Sequence, residues 1–284
     1  MPLYRLSEPT DLREPVVVVA LDGWVDAGGA ATSAAQQLLT RRTRTIARFD
    51  SDVLFDYRAR RPTLDIVDGR PAELTWPELT IRLSRFGAHD VLVLTGPEPD
   101  FLWHELCQAA VDIAARLGVT QWITLGAIPS PVPHTRVVPV LGTASRPELL
   151  RAGVRPGPAG TLRVPAAAVS VLDVALTRAD VPSVGYFAQV PNYLTGPYPA
   201  AALELLRVLG RHLDLELPPG SLADDAQALR ERLDAVAAAD EATRTHIERL
   251  EALADADRLP SGDELISDIE RFLREGGASG RGRP

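Results

Sequence analysis

The sequence predicts a three-layer α/β/α fold in which helices cover both faces of a mostly parallel sheet. Six apolar residues at Val16–Leu21, four of them β-branched, are typical of a strand buried on both faces. From Ala27 onward, apolar residues recur with helical spacing, which predicts an amphipathic helix packed on that sheet. Strand and helix patterns then alternate along the chain, as in βαβ units.

The other elements follow from the same two kinds of pattern. Strands are predicted where short apolar runs end at turn residues, and helices where apolar residues repeat every three or four positions. The predicted strands are Arg44–Phe49, Leu79–Leu83, Asp90–Thr95, Gln121–Ile128, Val137–Leu141 and Ser183–Val190, with a polar, arginine-rich loop over Asp50–Pro71. The predicted helices run from a cap at Asp100 to Leu117, over Ala166–Arg178 and over Ala200–His212, and Pro147–Arg151 forms one helical turn.

The pattern changes at 218–220, where a helical extension is predicted to begin. Apolar positions from Leu222 to Ala254 alternate in steps of four and three, which indicates a long helix with a coiled-coil-like seam, interrupted or bent at Asp240–Thr243. A short helix is predicted over Asp263–Arg274. We therefore expect an α/β core at 1–217, a helical extension at 218–275 and a disordered tail at 276–284.

Composition excludes several classes of function. The formal net charge of −8 argues against nucleic acid as a main partner, because phosphate binding needs a basic face. All 30 basic residues are arginine, so a Schiff-base lysine and a Walker A lysine are excluded. Cys107 is the single cysteine, which excludes internal disulfides and a thiolate zinc cluster, and we expect it to be a packed core thiol.

The sequence also gives expectations about location. The first fifteen residues contain no apolar region of the signal-peptide type, and no apolar run approaches the length of a membrane span. We expect a cytoplasmic protein that does not associate with a membrane.

The first candidate site is the segment that follows the first strand. Asp22, Gly23, Trp24, Asp26 and Gly28 lie between a strand end and a helix start, where α/β proteins often bind ligands. Asp22 and Asp26 can be a catalytic pair, or Asp26 can simply cap the helix. Gly28 permits close approach of either a ligand or another part of the backbone.

The second and third candidate segments also follow predicted strands. Three prolines between 129 and 133 stiffen the backbone before His134, Thr135 and Arg136. His134 can act as a general base and Arg136 as an anion clamp, or both can fix the loop through hydrogen bonds. Asn192 and Tyr193 follow the last strand.

Two charged residues of the arginine-rich loop, Asp56 and Arg61, complete the candidate crevice. No set of His, Asp and Glu shows metal-ligand spacing, since His104-Glu105 lacks the second histidine of a zinc motif. Neither GxGxxG nor GxSxG is present, so we expect no cofactor and no metal.

Four motifs in a fixed order carry a family resemblance. They are GWVDAGGAAT after the first strand, DYRARRP in the long loop, GAIPSPVPHTR after a middle strand and VPNYLTGPYPAAALELL near the end of the sheet. Together they resemble the proteasome assembly chaperone 2 family, in particular its actinobacterial branch, over residues 14–212. The resemblance implies a core similar to that of purine nucleoside phosphorylases and related hydrolases, small homo-oligomers, and relatives that help proteasome α-rings to form.

Two classes of function follow. The first is a non-enzymatic assembly or interaction protein, with itself and proteasome subunits as partners. The second is a small-ligand-binding protein or a phosphorylase- or hydrolase-like enzyme that uses the crevice at the strand ends. A carboxylate–amine ligase is a weaker alternative, because the chain has no lysine to hold a phosphate.

Overall fold

The protein is built on one nine-stranded sheet and a separate two-stranded hairpin. The structure is a computed structural model that describes residues 2–7, 11–40, 42–87, 89–151, 153–157 and 160–256. The strands are β1 (Tyr4–Leu6), β2 (Val16–Asp22), β3 (Arg44–Phe49), β4 (Thr63–Val67), β5 (Arg70–Thr75), β6 (Thr80–Phe86), β7 (His89–Pro97), β8 (Gln121–Ser130), β9 (Val140–Ala144), β10 (Arg155–Pro156) and β11 (Ser183–Pro191).

The large sheet has the strand order β1-β3-β6-β7-β2-β8-β11-β9-β10. Its centre is parallel, since β2 pairs with β7 and β8, and β8 pairs with β11. Antiparallel pairs extend it through β6, β3 and β1 on one side and through β9 on the other. The predicted α/β fold class is confirmed, and the sheet is mixed outside its parallel centre.

Helices cover both faces of this sheet and complete two hydrophobic cores. Because β2 is buried on both faces, Val18 belongs to one core and Val19 to the other. Cys107 lies in the second core, where burial raises the pKa of its thiol. The helices are α1 (Ala30–Leu38), α2 (Ser51–Leu54), α3 (Trp103–Leu117), α4 (Ala168–Arg178), α5 (Pro199–Leu213), α6 (Leu222–Ala239) and α7 (Glu241–Ala256).

The layers place α1 and α5 on one face of the sheet and α3 and α4 on the other. Helix α6 packs on α5, outside the first layer. Within the described residues, no helix combines the length and the apolar content needed to cross a membrane.

Two local predictions are wrong. The expected loop over Asp50–Pro71 contains helix α2 and most of the hairpin β4–β5, whose eleven residues are all exposed and so lack the burial pattern that marks a strand in sequence. Asp100 does not cap a helix, because its carboxylate accepts the N–H of Asp56 at 2.8 Å and α3 begins at Trp103.

The predicted interruption of the C-terminal helix lies at Asp240. This residue separates α6 from α7, and its carboxylate accepts the N–H of Thr243 at 2.8 Å, as a helix cap does. The predicted helix Asp263–Arg274 and the tail at 276–284 lie outside the described residues. The division into a core at 1–217 and an extension at 218–275 stays a prediction.

Candidate functional site

The carboxylate of Asp26 binds the first turn of helix α1, although the residue at the N-cap position is Gly29. Its carboxylate accepts the N–H groups of Ala31 at 2.7 Å and Thr32 at 3.3 Å, and the Thr32 hydroxyl at 2.5 Å. Burial raises the pKa of Asp26, while these hydrogen bonds favour its ionised form. Two of these contacts satisfy free N–H groups of a helix start, and the third binds the hydroxyl of Thr32 in the same turn.

Gly28 lies in a tight turn ahead of α1 and not inside the helix. Its φ of 62° is in the left-handed region, and its carbonyl accepts the N–H of Tyr198 at 2.9 Å. A Cβ atom at this position would lie 2.9 Å from Cβ of Tyr198. The glycine therefore permits close approach of the segment that leads into α5, rather than leaving room for a ligand.

Glu98, which the sequence analysis did not single out, organises the segment after β2. One carboxylate oxygen accepts the N–H of Trp24 at 2.9 Å, and the other accepts the N–H of Ala168 at the start of α4 at 2.6 Å. A Cβ atom at Gly23 would lie 2.4 Å from the first of these oxygens. The sequence feature that could have indicated Glu98 is its position between two prolines, directly after a buried strand.

Exposure differs among the charged residues near the ends of β2 and β7: Asp22 is largely exposed, whereas Asp56 is half-buried. The Asp22 carboxylate is 3.9 Å from the Arg60 guanidinium, and its side chain is 74% exposed. The carboxylate of Asp56 accepts the N–H of Arg58 at 2.8 Å, and Arg61 is exposed. Trp24 is 66% exposed.

His134 is buried and hydrogen-bonded at both ring nitrogens. Nδ1 lies 2.8 Å from the Tyr193 hydroxyl, and Nε2 lies 3.1 Å from the carboxylate of Asp234 on α6. The same hydroxyl accepts the backbone N–H of His134 at 2.8 Å. Burial lowers the pKa of His134, although Asp234 acts in the opposite direction, so the neutral ring donates from Nε2 to Asp234.

Thr135 and Arg136, which follow His134, bind α7, the second of the two C-terminal helices. The Thr135 hydroxyl donates a hydrogen bond to Glu251 on α7. The Arg136 guanidinium donates to Glu251 at 3.1 Å and to Asp255 at 2.8 Å. On α6, Arg230 donates to the carbonyl of His134 at 3.2 Å. Helices α6 and α7 therefore bind the segment His134–Arg136.

The candidate residues form two groups and not one constellation. The first group lies around the ends of β2 and β7 and consists of Asp22, Gly23, Trp24 and Asp56. Arg61 is exposed in the segment that follows α2. His134, Thr135, Arg136 and Tyr193 lie under α6 and α7, while Asn192 is exposed and donates its N–H to the Ser130 carbonyl at 2.9 Å. Asp26 makes no hydrogen bond or ion pair with His134 or Arg136 in the part of the chain that the structure describes.

Several cavities lie beneath the C-terminal helices. One of about 300 Å³ is lined by residues that include His134, Tyr198 and Arg230. Another, of about 410 Å³, is lined by residues that include Tyr193, Leu233 and His246, and it also reaches His134. No group of three or more potential metal ligands occurs among the described residues.

Comparisons with known proteins agree with this architecture. A protein of unknown function from Corynebacterium glutamicum is 31% identical, with 90% of this chain and 98% of that chain covered and a TM-score of 0.84. A Mycobacterium tuberculosis proteasome-assembly chaperone homologue is 32% identical, with 82% and 99% covered and a TM-score of 0.74. A PAC2 family protein from Streptomyces avermitilis is 35% identical, with 78% and 94% covered and a TM-score of 0.71.

The family assignment rests on a profile match as well as on these structures. No curated protein matches the sequence. The profile of the PAC2 family matches residues 20–237, which include the end of β2, the parallel strands β7, β8 and β11, and most of α6. The chain belongs to the PAC2 family.

Proposed function

We propose that the protein is a non-enzymatic assembly protein that binds proteasome subunits. One observation carries this proposal: the side chains best suited to crevice chemistry are bound within the fold. His134 and Arg136 are held by α6 and α7, and the Asp26 carboxylate is used by α1. A general base needs access to substrate, and these contacts already occupy the imidazole of His134 and the carboxylate of Asp26.

Family membership and exposed apolar surface support a protein partner. A relative that is 32% identical is described as a proteasome-assembly chaperone homologue. Trp24 and Phe101 follow the adjacent strands β2 and β7, and they are 66% and 51% exposed. Exposed aromatic side chains of this kind are frequent anchors of protein interfaces.

The partner is tested by co-purification of the full chain at its native expression level. We expect proteasome subunits to be retained with the wild-type protein, and the Trp24→Ser variant to retain less. Leu162→Ser removes a similarly exposed apolar side chain elsewhere and is the matched control. Wild-type protein that retains no proteasome subunit contradicts the proposal.

We also propose that the protein is a homo-oligomer. The hairpin β4–β5 supports this, because Leu64, Ile66 and Leu74 share one apolar side and are 44–64% exposed. An isolated two-stranded hairpin is marginally stable in water, so its apolar side gains stability by packing on another surface. Light scattering is expected to give a multiple of the protomer mass, reduced by Ile66→Ser and unchanged by Leu162→Ser. A monomeric wild-type protein contradicts this proposal.

A second candidate function is small-ligand binding beneath the C-terminal helices. The cavity of about 410 Å³ favours it, since its lining combines His134, Tyr193 and His246 with apolar side chains. A thermal-shift screen of the full chain with nucleosides, phosphate and small acids tests this alternative. Saturable stabilisation by one of these compounds, lost in Tyr193→Phe, supports it, and a flat response argues against it.

A further inference from the structure

An apolar groove lies between the end of α7 and the segment that leads from β8 to β9. We call it the α7 groove, and its volume is about 660 Å³. Helix α7 contributes Leu253 from its last turn, and the segment before β9 contributes Val137 and Val138. The lining also includes parts of β9 and of the edge strand β10. The groove is therefore formed where α7 meets one edge of the sheet.

Large apolar side chains in this groove are open to solvent. Val137 is 66% exposed and Leu253 is 55% exposed. Their two segments are held together by Arg136, whose guanidinium donates hydrogen bonds to Glu251 and Asp255 on α7. Exposed apolar side chains that are gathered in one groove indicate a surface on which another apolar group packs. An open groove of this kind suits the side of a helix.

Residues 257–284 continue the chain from the end of α7 and lie outside the described residues. Within them, the sequence predicts the helix Asp263–Arg274, and Ser261 and Glu264 have the spacing of a capping box at its start. Five apolar positions share one side of that predicted helix: Leu265, Ile266, Ile269, Phe272 and Leu273. Because so short a helix is marginally stable alone in water, its apolar side gains stability from a surface to pack on.

The position of α7 brings this segment close to the groove. Leu253 lines the groove, and α7 ends soon after it at Ala256. The joining residues 257–262 span at most about 20 Å when fully extended. So short a tether gives the segment an effective concentration on the order of millimolar at the groove. The chain's own segment therefore has an advantage over a free partner that makes the same contacts.

The charges of the groove and of the segment are complementary. Arg155 lies in the lining and is exposed, and no acidic residue in the described part of the chain forms an ion pair with it. On the predicted helix, Asp268 and Glu270 flank the apolar side. A carboxylate at that position can pair with the guanidinium of Arg155 while the apolar side chains enter the groove.

The geometry points to an occupant within the same chain. We propose that the α7 groove binds the segment 263–274, with the apolar side of that helix packed on Val137 and Leu253 and its acidic flank beside Arg155. The segment then covers the apolar surface that α7 and the edge of the sheet leave exposed, and it turns back on α7 through residues 257–262.

Disulfide trapping in the full-length protein tests which side of the segment meets the groove. Val137→Cys is combined either with Ile269→Cys on the apolar side or with Ser267→Cys on the opposite side, while the native Cys107 is buried. We expect the first pair to cross-link within one chain about tenfold faster than the second, because a disulfide needs close Cβ atoms. Equal rates, or cross-links that join two chains, overturn the proposal.

A substitution in the groove tests the same contact through tryptic cleavage after Arg271 in the full-length protein. Val137→Asp is expected to speed this cleavage about tenfold, since a charge in the contact raises the population of the released segment. Val174→Asp replaces a valine on α4 that is 50% exposed, and as the matched control it should leave cleavage unchanged. Equal cleavage in wild type and Val137→Asp overturns the proposal. Neither experiment bears on the proteasome partner, which co-purification tests separately.

Discussion

The imidazole of His134 and the carboxylate of Asp234 join the sheet region to the C-terminal helices through a 3.1 Å contact. His134 follows β8, and Asp234 lies 100 residues later on α6. Arg136 repeats this relationship with Glu251 and Asp255 on α7. The same three-residue segment that the sequence indicates as a catalytic loop is therefore the attachment point of the C-terminal helices.

The Arg136 ion pairs are expected to hold α7 on the protein. Arg136→Gln removes the charge that bonds Glu251 and Asp255, so amide hydrogen exchange over 241–256 should become faster. Arg244→Gln is the control, because among the described residues Arg244 forms its ion pairs within α7, with Glu241 and Glu248. Equal exchange in both variants would show that Arg136 does not attach the helix.

His212 is expected to make stability depend on pH. Burial lowers its pKa from 6.5 to about 4, while its ring nitrogens contact the Tyr186 hydroxyl at 2.6 Å and the Gln121 side chain at 2.8 Å. Because the folded pKa is depressed, the unfolded chain takes up the proton first. Stability is therefore retained above pH 6.5 and lost as the pH falls toward 4, by up to about 3 kcal/mol.

Chemical denaturation between pH 4 and 8 measures this dependence. His212→Gln should be less stable at pH 8 and should lose part of the decline below pH 6.5. The difference between wild type and variant isolates His212 from other titrating groups. If the difference in unfolding free energy between wild type and His212→Gln does not change with pH, His212 is not the source of the pH dependence.

Gly28 and Gly118 can be compared to test whether Tyr198 lies too close to Gly28 for a side chain there. Both have a φ of 62°, but a Cβ at Gly28 meets Tyr198 at 2.9 Å, whereas nothing lies within 4 Å of one at Gly118. Gly118→Ala should cost about 1–2 kcal/mol for the left-handed backbone alone. Gly28→Ala should cost about 1–3 kcal/mol more from the contact with Tyr198. Equal free energies of unfolding would show that the turn has room for a side chain.

Glu98 is expected to fix the segment after β2. Glu98→Ala leaves the N–H groups of Trp24 and Ala168 without their acceptor, at a cost of about 1–3 kcal/mol. Hydrogen exchange should increase at these two amides in particular. Glu73→Ala, on the exposed hairpin, is the control and should change neither amide. Unchanged protection in Glu98→Ala would contradict the role of this carboxylate.

The sequence predicts the central sheet and its main helices well because their patterns reflect burial. Val16–Leu21 is buried on both faces, and the apolar stripe of α3 faces a core, so period and burial agree. The exposed hairpin β4–β5 has no core to impose such a pattern, and it was missed. Local sequence patterns also cannot show that α6 and α7 contact His134 and Arg136, because the contacting residues are 100 or more positions apart in the chain.

The sequence allows the contacts of some single candidate residues to be predicted, but not how the candidate residues lie relative to one another. The binding of the first turn of α1 by the Asp26 carboxylate follows from its place before a helix, but the helix begins at Ala30, with Gly29 and not Asp26 at the N-cap position. Glu98 gave only a weak local signal.

The most direct measurement of the proposed assembly role is the rate at which purified proteasome α subunits form rings with and without the full-length protein. Native mass spectrometry follows free subunits, intermediates and rings over time. We expect a complex between this protein and α subunits, with faster ring formation that needs no small-molecule substrate. Ring formation at an unchanged rate, with no complex containing the protein, would contradict it.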